Sequence, residues 1–370
     1  MVMDVLEKAK ELEQKGIDII HLEIGEPDFP TPKCIVKETL KAIKMGITRY
    51  THSQGTYDIR TNICNYYKRK YNVSISPEKV IVTTGSSPGL LLILLALLRK
   101  NDEVIIQDPG YACYPNFISF FEGKPIYIKS YEEEGYIFSI KRIKKATTKR
   151  TRAILINSPA NPTGNVLSEQ NIKEIVDLGI PIISDEIYHS FNYIGNDHTI
   201  LEFTENAFVL NGFSKRYAMT GWRLGFIIVP ENFVRPIQKL QQNFFICPNA
   251  FVQIGGISAL TKADNDVQMM KREYAKRRDF ILDELKKNDF ELKYRPNGAY
   301  YILLNMRKHT KDSYKFALEI LEKAKVAVAP GIDFGPSAEG FIRLSYANSI
   351  DAIREGIKRL GNFINSPKIQ

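Results

Sequence analysis

The sequence predicts an α/β protein, with a large domain of mostly parallel, seven-stranded type of sheet flanked by helices and a smaller α+β domain. Three observations lead there. Short apolar runs at 80–82, 104–106, 153–157, 180–184 and 207–210 recur at strand length. Small-residue turns follow most of them, and helical stretches at 89–98 and 168–178 lie between them, the alternation that builds parallel sheets. Residues able to do chemistry stand just past these runs, where ligands of such sheets collect.

Taken in order, residues 1–14 carry Val2, Val5, Leu6, Ala9 and Leu12 at helical spacing between acids, an amphipathic helix rather than a signal peptide. The apolar stretch 17–24 predicts a strand, ended by Gly25-Glu26-Pro27. Run 80–82 leads through Thr83-Thr84-Gly85-Ser86-Ser87 into a buried helix at 89–98. A small-residue turn at a helix start presents free N–H groups to a phosphate; the alternative is that Ser86 or Ser87 caps the helix. The next runs end at Asp108-Pro109-Gly110-Tyr111, at Ser158-Pro159-Ala160-Asn161-Pro162 and at Asp185-Glu186-Ile187-Tyr188. The bonds Asp108-Pro109 and Asn161-Pro162 are cis candidates. Helices are predicted at 238–260, 264–287 and 314–324, and strands at 300–305 and 341–346. Ser349 caps a last helix with Ile353, Ile357, Leu360 and Ile364 on one face.

A chain of 370 residues can bury a large core in two or three domains. Hydrophobic and charged fractions of 44% and 25% are those of ordinary globular proteins. The net charge is +9, but acids are interspersed, and the basic run from Lys141 to Arg152 reads as the solvated face of a helix and loop. Nucleic acid is not an expected partner. Neither is a membrane, since the longest apolar run, 90–98, is far short of the roughly 20 residues that span a bilayer. Cys34, Cys64, Cys113 and Cys247 form no metal-binding spacing and suit free thiols in a cytoplasmic protein.

The stretch Gly212-Phe213-Ser214-Lys215-Arg216-Tyr217-Ala218-Met219-Thr220-Gly221-Trp222-Arg223-Leu224-Gly225 is the densest in chemistry. A loop lysine is usually a solvated charge. One followed by Arg223 among Gly, Met and Trp calls for an anion or a conjugated partner. Pyridoxal phosphate is both, an aldehyde for the amine and a phosphate for the guanidinium. Asp185, at the end of an apolar strand, needs a partner such as a pyridinium N–H, or else caps a helix. Arg343, between apolar strand neighbours, matches a carboxylate, or else lies on a surface strand.

The stretch resembles the lysine signature of the class I/II pyridoxal-phosphate aminotransferases, and the resemblance extends from Gly25 to Arg343 with motifs in family order. It implies the fold-type I architecture, with the large domain at 31–280 and a small one made of 1–30 and 281–370. It implies Lys215 as the catalytic residue that also binds pyridoxal phosphate. Gly85, Ser86, Ser87, Ser214 and Arg223 would serve the phosphate, Tyr111 stack on the ring, Asp185 meet the ring nitrogen, and Asn161 and Tyr188 the ring oxygen. Gly25, Asn161 and Arg343 would meet the substrate carboxylate. Tyr50 would reach the cofactor phosphate of a neighbouring subunit, which implies a homodimer. No metal is implied.

Gly212 stands where many relatives have a phosphate-binding serine, and Ser87 where many aspartate-using ones have a lysine. Aspartate with 2-oxoglutarate is the leading substrate pair, with aromatic, kynurenine or alanine donors as alternatives. A carbon–sulfur β-lyase shares the scaffold. A regulator that senses an amino acid would need an added DNA-binding domain, which the sequence does not show.

Overall fold

A computed structural model describes residues 1–366 of the chain. Twelve strands occur in chain order among these residues: β1 (Ile20–His21), β2 (Val80–Thr83), β3 (Glu103–Asp108), β4 (Lys124–Lys129), β5 (Thr151–Asn157), β6 (Ile182–Asp185), β7 (Ala207–Gly212), β8 (Gly225–Ile228), β9 (Tyr301–Asn305), β10 (Val326–Ala327), β11 (Ala329–Pro330) and β12 (Phe341–Ser345). Seven of them form the main sheet in the order β2-β8-β7-β6-β5-β3-β4. All pairings from β4 to β7 are parallel, and only β8 runs against its neighbours β7 and β2. Strands β2, β6, β7 and β8 are buried throughout, as apolar strands covered by helices on both faces should be.

Because β2, β3, β5, β6 and β7 point the same way, their C-terminal ends share one edge of the sheet. The loops bearing Ser86, Tyr111, Asn161, Asp185 and Lys215 all leave from it. A second, antiparallel sheet β11-β12-β9 carries Tyr301 and Arg343, and β1 pairs with β10 beside it.

Several expectations shift in detail. Region 17–24 forms only the two-residue β1 before turning into the Gly25 loop. The helix after β2 begins at Ser86, with Gly85 at its N-cap in a positive-φ conformation (φ 108°) and no side-chain cap. The helix expected at 238–260 is two, Glu231–Phe244 and Ala250–Lys262. The break holds Pro248, which lacks the N–H that a continuous helix needs, and Asn249 caps the second helix. Edge strand β4 escapes a pattern search because it contains Pro125 and buries only Ile128. Helix Asp264–Lys287 appears as predicted, and Ser349 accepts the Ala352 N–H at 3.1 Å as the last cap. The bonds at Asp108-Pro109 and Asn161-Pro162 are cis, and so is Ser158-Pro159.

The Gly85 turn packs directly on β8. A Cβ added to Gly225 would lie 2.5 Å from the carbonyl carbon of Gly85 and 2.7 Å from the Ser86 nitrogen. Backbone cannot yield there as a side-chain tip would, so Gly225→Ala should destabilise the protein by about 1–3 kcal/mol. Urea unfolding checks this, and a wild-type midpoint would mean the turn moves freely.

Candidate active site

Lys215 sits in the turn that leaves β7. Its Nζ donates to the Gly25 carbonyl at 2.7 Å, across 190 positions of sequence. Burial pushes the ammonium down to about 8; the Glu26 carboxylate opposes this, and the Arg343 and Arg223 charges assist. About a tenth is then the free amine at pH 7, far more than for an ordinary lysine.

The amine faces a cavity of about 220 Å³. Nine residues singled out in the sequence line it: Gly25, Ser86, Ser87, Tyr111, Asn161, Asp185, Tyr188, Lys215 and Arg343. Gly85 lies behind the wall, where a side chain would come within 2.5 Å of Arg223 Nη2. Arg223 itself is exposed in the neighbouring cleft, its Nη1 donating to the Thr220 carbonyl at 2.9 Å. Ser214 is buried outside the cavity lining. Tyr50 is 81% exposed and does not line this cavity.

Asp185, at the end of β6, is 6% exposed and has no ion-pair partner among the described residues. The Tyr114 hydroxyl donates to Oδ2 at 2.7 Å and the Ile187 N–H to Oδ1 at 3.1 Å. Burial pushes its carboxyl up to about 6, against these two hydrogen bonds. A carboxylate offers about four acceptor sites, so capacity for another donor remains. Adjacent Glu186 is the contrast. It accepts from Thr199, Ile200, Ser184 and Tyr67 and serves the fold. His189 belongs to this buried layer, its Nδ1 2.7 Å from the Tyr71 hydroxyl.

Asn161 and Arg343 meet across the cavity: Nη1 donates to Asn161 Oδ1 at 3.0 Å. Nη2 donates to the Glu23 carbonyl. Arg343 is buried between the rings of Tyr301 and Phe334, at 4.4 and 4.8 Å, and its Nε has no partner. The Asn157 side chain donates to the Asp185 carbonyl at 3.0 Å and accepts the Asn161 N–H at 2.9 Å, tying two loops together.

Sequence reasoning missed Tyr114, Asn157, Tyr301 and Phe334. Tyr114 follows Tyr111 at helical spacing on the helix Cys113–Phe120, a signal that could have been used. Tyr301 and Phe334 look like ordinary core residues in the sequence, with nothing local to mark them.

These residues fit pyridoxal phosphate. A depressed amine suits the aldehyde, an under-bonded buried carboxylate suits the ring nitrogen, and an uncapped helix start flanked by Ser86 and Ser87 suits the phosphate. At Gly212 a Cβ would sit 3.1 Å from Ile187 Cδ1 and 3.3 Å from Gly225 Cα. A side chain here would need its neighbours to give by a few tenths of an ångström.

A family model described as aminotransferase class I and II matches residues 17–360. The (5-formylfuran-3-yl)methyl phosphate transaminase of Methanocaldococcus jannaschii is 42% identical, covering 98% of this chain and 96% of that protein. The aspartate aminotransferase of Pyrococcus horikoshii is 37% identical over 99% of this chain and 95% of its own. Among solved structures, a Methanococcus jannaschii protein described as similar in its active site to kynurenine aminotransferases superposes with a TM-score of 0.91, at 41% identity over 98% of this chain and 96% of that one. The Thermus thermophilus aspartate aminotransferase with maleate gives 0.93 at 32% identity, with the same coverage.

The raised carboxyl of Asp185 predicts a pH dependence of the cofactor-free protein. The folded state keeps this proton up to about 6, whereas the ordinary value is 3.8. Between these values the folded state binds more protons, so stability falls as pH rises through the window. The loss is on the order of 3 kcal/mol. Asp185→Asn should remove that loss, seen as a growing stability advantage of the variant in urea unfolding from pH 4 to 7. A constant difference across the series would show that Asp185 is not the group titrating.

Proposed function

Because the chain belongs to the class I and II aminotransferases, a family that uses pyridoxal phosphate, we propose that the cavity around Lys215 is its active site. The observation that carries this reading is the convergence of one depressed amine, one under-bonded carboxylate and one part-free guanidinium in a single enclosed space. The reaction is transfer of an amino group from an L-amino acid to a 2-oxo acid by a ping-pong cycle.

In this reading Lys215 holds the cofactor, Asp185 presents its carboxylate to the ring nitrogen, and Asn161 and Tyr188 face the ring oxygen. Tyr111 lies against the ring, and Gly85, Ser86, Ser87, Ser214 and Arg223 serve the phosphate. The bound cofactor supplies an electron-accepting ring that makes the substrate Cα–H acidic. Arg343 takes the substrate α-carboxylate in the plane set by Tyr301 and Phe334, with Gly25 and Asn161 beside it. Lys215 Nζ, freed by the incoming amine, would take the proton from the substrate Cα as general base and then deliver it as acid to the cofactor's C4′ carbon. An amine titrating near 8 is suited to both steps at neutral pH.

The pair is aspartate with 2-oxoglutarate, and its aspartate half is supported by the name of the Pyrococcus relative. A second reading, an aromatic or kynurenine-type donor, is favoured by the wall itself: its cationic side chains are Lys215 and Arg343 alone, and Ser87 offers no charge to a second carboxylate. The name of the Methanocaldococcus relative adds a phosphate-bearing aldehyde as a third kind of partner. The same proposal divides the chain into a large domain at 31–280 and a small one from 1–30 and 281–370. It places the protein in the cytoplasm as a homodimer in which Tyr50 reaches the neighbouring subunit's phosphate. The exposure of Tyr50, with Met45 and Ile47 nearby, supports that arrangement.

Mixing holoprotein with single amino acids should convert the visible absorbance of the lysine-bound cofactor to the amine form. Aspartate or glutamate acting fastest supports the first pair, and phenylalanine, tyrosine or kynurenine the second. A spectrum indifferent to every amino acid would reject the transfer reaction. Lys215→Ala should lack the visible band, and its persistence would remove the central assignment. Arg343→Ala should raise KM for amino acids by about 100-fold, the scale of losing a buried charge partner, with wild-type kinetics rejecting the carboxylate role.

A further inference from the structure

Tyr301 touches three of the groups just assigned. Its hydroxyl is 2.8 Å from that of Tyr188. Its ring covers one face of the Arg343 guanidinium at 4.4 Å. The same hydroxyl occupies the space that a Cβ on Gly25 would need. The residue is buried at the start of β9, where its backbone pairs with Ser345 of β12, so its position follows from the small sheet.

A phenol has one proton to donate. Where the Tyr188 proton goes to the cofactor's ring oxygen, the Tyr188 oxygen is left as acceptor, and across 2.8 Å its partner must donate. Linked hydrogen bonds polarise one another at low dielectric, so a Tyr188 that accepts is a stronger donor. Burial pushes both phenols above their ordinary range and the Arg343 charge pulls both back down, so each stays protonated and able to donate.

We propose that Tyr301 is a positioning residue that orients the Tyr188 hydroxyl toward the cofactor's ring oxygen and strengthens it as a donor, while its ring holds the plane of Arg343. The inference rests on the Tyr188 and cofactor assignments made above. It makes one side chain of the small sheet common to the cofactor side and the carboxylate side of the cavity.

The test is a pH titration of the visible absorbance of the bound cofactor, without substrate, in wild type, Tyr188→Phe, Tyr301→Phe and the double variant. Losing a donor to the ring oxygen destabilises its anion, so a proton is retained to higher pH and the midpoint rises. Tyr301→Phe should raise it by roughly half a pH unit, less than Tyr188→Phe does, and the double variant should match Tyr188→Phe alone. The phenylalanine ring keeps its place on Arg343, so cofactor content should stay at the wild-type value. A wild-type midpoint in Tyr301→Phe beside a shifted Tyr188→Phe overturns the role of Tyr301 and leaves that of Tyr188 standing. Additive shifts in the double variant overturn it as well, because Tyr301 would then act by another route. Unmoved midpoints in both single variants overturn the Tyr188 assignment and this inference with it.

Discussion

The buried negative charge of Asp185 is the constraint on which the rest of the site depends. A carboxylate at the end of a fully buried strand is costly unless donors surround it, and here only two neutral ones do. They come from the helix after β3 and from the turn after β6. The Asn157 side chain fastens the loop after β5 to the same point. Glu186, one residue on, is saturated by four donors from its own fold. Two adjacent acids thus have different fates: one is consumed by structure, and the other retains capacity that faces the cavity.

The cations answer that charge without neutralising it directly. Lys215 reaches a carbonyl rather than a carboxylate, and Arg343 likewise bonds to two neutral oxygens. An arginine with five donors in a rigid fork, two of them occupied and one buried without a partner, is prepared for an anion. The aromatic faces of Tyr301 and Phe334 contribute cation–π attraction and set its plane. Binding a carboxylate there requires little reorganisation, which is what a site selecting one ligand geometry needs.

Close backbone contact completes the arrangement. The Gly85 turn, the Gly225 start of β8 and the Arg223 guanidinium occupy space that side chains would fill. The helix Ser86–Leu97 therefore presents its uncapped start at the sheet edge where the other loops gather. The turn and the arginine are far apart in sequence, and the antiparallel β2-β8 pairing brings them together.

By itself the sequence determined five strands of the large sheet, several of its helices, the turns at the strand ends and the residue types in them, because run length, period and turn chemistry are local properties. Together with the family resemblance of the lysine stretch, it named Lys215, Asp185, Asn161, Arg343 and the Ser86-Ser87 turn, all of which line one cavity. Where local signal is weak it misled: β1 shrinks to two residues, one expected helix breaks before Asn249, and edge strand β4 is invisible. Only the tertiary structure decided the partners. Tyr114 reaches Asp185 across 71 positions, Tyr188 meets Tyr301 across 113, and Lys215 meets Gly25 across 190. The first follows from strand order within the large sheet, the second from the small sheet set against its edge, and the third from the loop after β1. No periodicity carries that information, because a tyrosine bound for the site and one bound for the core leave the same local pattern.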